Sequence, residues 1–184
     1  MNEKRTSELL NSWIYEQKTA YIKGWDFSHI RNRYKEEEDF SWDFYEVIKN
    51  YLRESDYLLD METGGGEFLL SFNHNPNLSA AIEGYEPNIK ICEKRLLPLG
   101  INFKACDGGD RLPFENECFD IITNRHGDYD VNEIKRVLKK GGIFLTQQVG
   151  AQNDRELVEL LLGDIEIPFK EAYLEIALKE FENK

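Results

Sequence analysis

The run Leu58-Leu59-Asp60-Met61-Glu62-Thr63-Gly64-Gly65-Gly66 decides how this chain folds. Tyr57-Leu58-Leu59-Asp60 is a short apolar run ending in an acid, the pattern of a buried strand. The three glycines release the backbone into a tight turn, and Phe68, Leu69 and Phe72 then recur as the buried side of a helix beginning near Glu67. Strand, turn and helix in this order form the first half of a β-α-β unit and predict a parallel sheet.

Downstream the pattern repeats. The second strand is read as ending in Ile82-Glu83-Gly84-Tyr85-Glu86, with Pro87 as the first helical residue because its fixed φ suits that position. Ile89, Cys92 and Leu96 mark the inner face of that helix, and Gly100 closes it. Ile101 to Cys106 reads as the third strand, turned by Asp107-Gly108-Gly109-Asp110, and Phe119 to Thr123 as the fourth. Asp130 is placed to cap a helix, with Glu133 as its capping-box partner, which Gly141-Gly142 ends. Ile143 to Val149 gives a fifth strand, and helical stretches near 154–162 and 168–181 follow.

Upstream, 11 of the 23 aromatic residues precede residue 56. Glu36-Glu37-Glu38-Asp39 reads as a solvated acidic turn, and Ser41 as the cap of a helix with Tyr45, Ile48 and Leu52 on one face. The expected organisation is an N-terminal helical segment over residues 1–55 followed by an α/β domain over 56–184. That domain carries a Rossmann-like, doubly wound, mostly parallel sheet of about five strands.

Composition narrows the function classes. The 184 residues carry 23 Lys and Arg against 35 Asp and Glu, a net charge of −12 that repels the phosphate backbone, so nucleic acid is not an expected partner. Cys92, Cys106 and Cys118 lack metal-ligand or disulfide spacing and read as small buried hydrophobes in a reducing compartment. The charged N-terminus and the lack of a long apolar run predict no membrane span and a cytoplasmic location.

In an open parallel sheet, ligands bind outside the carboxyl ends of the strands, where the reading places Asp60, Glu86, Asp107 and Asn124. A glycine turn before a helix, with an acid at the neighbouring strand end, describes a site for a nucleoside-containing cofactor. A nicotinamide site shares those features. With Gly64 and Gly66 as the first two glycines of GxGxxG, however, the third position is Leu69, and the pyrophosphate reading weakens.

From Leu58 to Val149 the sequence resembles the class I S-adenosylmethionine-dependent methyltransferases. Leu58 to Gly66 is similar to that family's first motif and Glu86 to its ribose acid. Cys106-Asp107 with Leu112-Pro113-Phe114 and Phe119-Asp120 resembles its adenine-side segment, and Arg136 to Gly142 its following motif. The resemblance implies S-adenosyl-L-methionine as cofactor and S-adenosyl-L-homocysteine as product. It places Asp60, Glu62, Thr63, Gly64, Gly65 and Gly66 around the methionine end and Glu86 at the ribose. Asp107, Pro87 and Gly108 fall at the adenine, and Asn124 faces the methionine moiety or the transferred methyl, with Arg125 and His126 toward substrate.

Two departures stand out. Glu62 occupies the family's first-motif glycine position, and the two strands the family usually adds beside the fifth are missing from the pattern. The fifth strand is then an edge, expected to be covered by the terminal helices or by a homodimer contact. The implied activity is in-line methyl transfer to a small-molecule acceptor, with His126 as candidate base; His29 and His74 have less support. Trp13, Trp25 and Phe27 are candidates for a lid. The alternative is a noncatalytic member of the fold that binds the cofactor or a protein partner.

Overall fold

The structure, a computed structural model, describes residues 3–19, 28–35, 41–166 and 172–182. The chain forms two compact units, Met1–Phe40 and Ser41–Lys184. Among its described residues the first contains helix α1 (Glu3–Thr19) and a 3-10 turn at Ser28–Ile30, with an exposed Arg33–Glu16 ion pair of 2.8 Å. Trp13 is exposed on α1; Trp25, Phe27 and the acidic run 36–39 lie outside the described residues, as does the side chain of His29.

The second unit begins with α2 (Phe44–Tyr51), capped by Asp43, whose side chain accepts from the Glu46 amide at 3.1 Å, rather than by Ser41. Its Phe44 stacks on Phe68, and Phe44 and Ile48 are buried, so α2 groups with the sheet rather than with the N-terminal segment. Five strands follow: β1 (Leu58–Met61), β2 (Ser79–Glu83), β3 (Asn102–Ala105), β4 (Phe119–Arg125) and β5 (Leu138–Gln147). They form one parallel sheet in the order β3-β2-β1-β4-β5, as a doubly wound fold requires. Among the described residues, helices α3 (Glu67–Ser71), α4 (Glu86–Arg95), α5 (Val131–Val137), α6 (Arg155–Leu162) and α7 (Leu174–Glu182) accompany the sheet.

Period-two alternation sends successive residues of β1 to opposite faces, and a helix layer covers each. Leu59 and Met61 join Ile82, Phe119 and Ile122 beneath Ile134 and Val137 of α5. Leu58 joins Ile121 and Phe103 beneath Leu69 of α3 and Cys92 and Leu96 of α4. Each of these large side chains contributes about 1.5–3 kcal/mol by leaving water. Arg136 fastens α5 to the loop before β4: it donates to the carbonyls of Leu112 and Phe114, at 2.9 and 2.8 Å, and to Glu133.

Several boundaries differ from the sequence reading. β2 ends at Glu83, not Glu86, because Pro87 sits in the first turn of a helix already begun at Glu86, leaving Gly84 and Tyr85 as the connection. Asp130 does cap α5, but Glu133 turns to the Leu112 amide and to Arg136 instead of completing a capping box. Gly141-Gly142 does not end that helix; α5 stops at Val137, and β5 starts at once at Leu138 with a register shift opposite Phe119–Ile121. Among the described residues β5 pairs only with β4, and Phe181 of α7 lies against Phe144 of β5 at 5.8 Å between ring centres.

Candidate functional site

The strand order reverses between β1 and β4, so the crevice for a ligand lies outside their carboxyl ends. Four turns line it. After β1, Thr63 donates its amide to the Ile82 carbonyl at 3.0 Å, tying the turn to β2, and Gly66 adopts φ +83° as it enters α3. A Cβ at Gly66 would fall 2.8 Å from Leu96 Cδ2, so both conformation and packing require glycine there. The turn is braced from behind: the Gly64 carbonyl accepts from the Cys92 thiol at 3.1 Å and the Gly65 carbonyl from Arg95 at 2.6 Å.

Asp60 lies at 3% exposure beneath this turn, its carboxylate accepting from the Thr63 hydroxyl at 2.6 Å and the Thr123 hydroxyl at 2.7 Å. Burial pushes its pKa from 3.8 to about 6, although the two hydroxyls and Arg125 pull the other way. The acid at the tip of β2 is Glu83, also at 3% exposure. Its carboxylate accepts from the Gly64 amide at 2.7 Å and the Tyr85 amide at 2.8 Å, joining the glycine turn to the end of β2. Glu86, expected there from the sequence, instead opens α4 in solvent and pairs with Lys90 one turn later at 2.9 Å. Pro87 follows it in the first turn, half-buried.

Glu62 reaches across the crevice. Its carboxylate accepts from the Gly108 amide at 2.6 Å and lies 3.4 Å from the Gly84 amide, while its Cβ and Cγ pack on Gly127. Its φ of +52° is a left-handed conformation that costs a side-chain-bearing residue about 1 kcal/mol or more. Burial raises its pKa to about 7; the Gly108 and Gly84 amides oppose that shift, and Glu83 and Asp107 add to it. Asp107 is exposed and caps its own turn, accepting from the Gly109 amide at 2.9 Å. Gly108 is buried, and a Cβ there would meet the Asp128 carbonyl at 2.2 Å.

On the β4 side, Asn124 is fully buried and its amide is engaged by protein atoms. Its Oδ1 accepts from Gln148 at 2.5 Å and from Thr146 at 3.3 Å, and its Nδ2 donates to the Asp128 carbonyl at 3.3 Å. Arg125 ends the strand with its guanidinium 5.1 Å over the Phe68 ring. His126 turns the chain at φ +62°, and burial with Arg125 nearby lowers its pKa, favouring neutral imidazole. Beyond this turn opens a cleft of about 740 Å³, lined by Gly127, Tyr129, Phe144, Gln148, Ala177 and Phe181 among others. His74 lies elsewhere, its Nε2 2.8 Å from the Asp56 carbonyl.

The sequence reading thus missed Glu83, Thr123 and Gln148. Pro87 carried only part of the signal for Glu83: taken as the first helical residue it puts a two-residue loop at 85–86 and the strand end at Gly84, one residue late, because the helix begins at Glu86. No local signal marks Thr123 or Gln148: Thr123 comes beside Asp60 through β1–β4 pairing, and Gln148 directly follows β5.

Fold and crevice define a doubly wound α/β domain whose candidate ligand crevice is built from the turns after β1 to β4. Residues 59–146 match the family model described as a methyltransferase domain, and this stretch, with its fold, is similar to the class I S-adenosylmethionine-dependent methyltransferases. A probable phthiotriol/phenolphthiotriol dimycocerosates methyltransferase 2 of Mycobacterium ulcerans is 34% identical over 88 residues, 44% of this chain and 34% of that protein. The match therefore spans about a third of that relative's length. The crystal structure of the YcgJ protein of Bacillus subtilis superposes with a TM-score of 0.51 at 26% identity, covering 64% of this chain and 55% of that one. The [4+2]-cyclase SpnF shares the fold at a TM-score of 0.56 and 20% identity, over 82% of this chain and 61% of its own.

Proposed function

We propose that the crevice binds S-adenosyl-L-methionine and that the protein transfers its methyl group to a small, apolar, uncharged acceptor. The observation that carries this reading is the joining of Glu83 at the tip of β2 to the Gly64 amide of the glycine turn, beside the point where strand order reverses. Glu83, rather than Glu86, is the acid positioned for the two ribose hydroxyls. The lining also fits the cofactor's charge: Asp60, Glu62, Glu83 and Asp107 make an acidic surround for a sulfonium, and Arg125 stands at its edge for a carboxylate.

The cofactor supplies an electrophilic methyl on sulfur, and the protein's work is positioning and exclusion of water. Asn124, locked by Gln148 and Thr146, ties the tip of β4 to two residues that line the apolar cleft. The charged residues lining that cleft among those described, Asp128 and Glu180, are both acidic, which disfavours an anionic acceptor. An apolar acceptor also agrees with the name of the mycobacterial relative. His126, held neutral and next to the cleft-lining Gly127, would take the proton of a hydroxyl acceptor.

Calorimetric titration with S-adenosyl-L-methionine tests the reading. Glu83→Gln is expected to weaken binding at least about tenfold, the loss of about one charged hydrogen bond, while Glu86→Gln leaves it unchanged. Equal affinities for wild type and Glu83→Gln would overturn the assignment. A second reading, a noncatalytic binding protein, is favoured by Glu62 standing in the crevice. A screen of apolar alcohols, phenols and amines that yields a methylated product excludes it.

A further inference from the structure

Glu62 is the first residue after β1, and its side chain meets the chain after each of the three neighbouring strand tips. It touches Gly84 behind β2, Gly108 behind β3 and Gly127 behind β4. Glycine at those three positions leaves room for something to lie against the backbone, and here that something is the protein's own carboxylate. Gly108, whose amide it occupies, is buried, and the 2.6 Å contact with Glu62 is short for an amide donor, as a charged acceptor allows. The left-handed backbone of Glu62 shows that the position is held against local preference by these contacts.

We propose that Glu62 is a built-in competitor for the cofactor crevice: its carboxylate is an internal ligand of the Gly108 and Gly84 amides that an adenosyl ligand must displace. The proposal rests on the reading of the crevice given above and adds a regulatory element to it. Displacement separates a carboxylate from amide donors and breaks or forms no covalent bond. Glu83 from β2 and Asp107 from the turn after β3 are the acidic groups that repel Glu62 from its present position, and the β4 side presents Gly127 and the Asn124 amide. The latch is therefore held by backbone donors against surrounding negative charge, an arrangement a ligand can open.

The test compares wild type with Glu62→Gly and Glu62→Ala in calorimetric titrations with S-adenosyl-L-homocysteine, whose uncharged sulfur removes any direct attraction between sulfonium and carboxylate. A thermal melt confirms that each variant folds. Both variants are expected to bind at least about tenfold tighter than wild type. The amide resonance of Gly108 should shift on substitution, and shift in wild type as ligand is added. If wild type binds and the variants bind equally or more weakly, Glu62 is a ligand-holding or neutral residue, and the proposal fails while the crevice reading stands. If none of the three binds S-adenosyl-L-homocysteine or S-adenosyl-L-methionine, both fall.

Discussion

Replacing Asp60 by Asn should stabilise the protein, and by an amount that depends on pH. Asp60 is buried under the glycine turn with a pKa raised from 3.8 to about 6, mainly by loss of water. A carboxyl group whose pKa is raised by folding leaves full stability below its unfolded value, and stability is then lost as pH climbs through the folded one. For Asp60 the loss runs from about pH 4 to about pH 6 and amounts to about 3 kcal/mol once complete. Asparagine carries no such charge and keeps the geometry: its amide can donate to Thr123, whose hydroxyl then turns to the Leu59 carbonyl already 3.4 Å away. Urea unfolding of both chains should show Asp60→Asn more stable by about 3 kcal/mol at pH 8 but by only about 1 kcal/mol at pH 4.5. For a unit of this size the larger figure raises the melting temperature by about 6–12 °C. A difference that stays constant between the two pH values, or a variant less stable at pH 8, would refute the burial argument.

Other sites give sharper structural expectations. Arg136→Met leaves Glu133 and the Leu112 and Phe114 carbonyls without their guanidinium and should destabilise by about 3 kcal/mol, read by chemical denaturation. Gly66→Ala forces a Cβ to a φ of +83° and into Leu96, a loss of about 2 kcal/mol in the same assay. His126→Asn places a residue that tolerates the left-handed region at φ +62°, so the melting temperature should stay within about 2 °C of wild type. If His126 is the base, the same variant removes the acidic limb of the pH–rate profile with a found acceptor.

Much of the architecture was legible in the sequence because it is written in local terms. The short apolar run at Leu58–Met61, glycines that permit positive φ at Gly64 and Gly66, and Asp130 before an apolar helix face each report a short-range constraint. These were enough for a five-stranded parallel sheet with the crevice at its carboxyl ends. What periodicity could not supply is where a strand stops relative to its neighbour. Glu83 and Glu86 differ by three residues and are both acids near the end of an apolar run, yet one is buried against Gly64 and the other is solvated beside Lys90.

The sequence by itself determined the order of elements, the two apolar faces of the sheet and the end of the sheet where the crevice opens, since periodicity, glycine and proline act through the nearest few bonds. Tertiary structure alone decided that Glu83 stands at the tip of β2, that Asn124 is bound by Gln148 and that Glu62 folds inward onto Gly108. Those outcomes depend on pairings between residues up to 46 positions apart, set by strand register and by the backbone donors that the turns leave exposed.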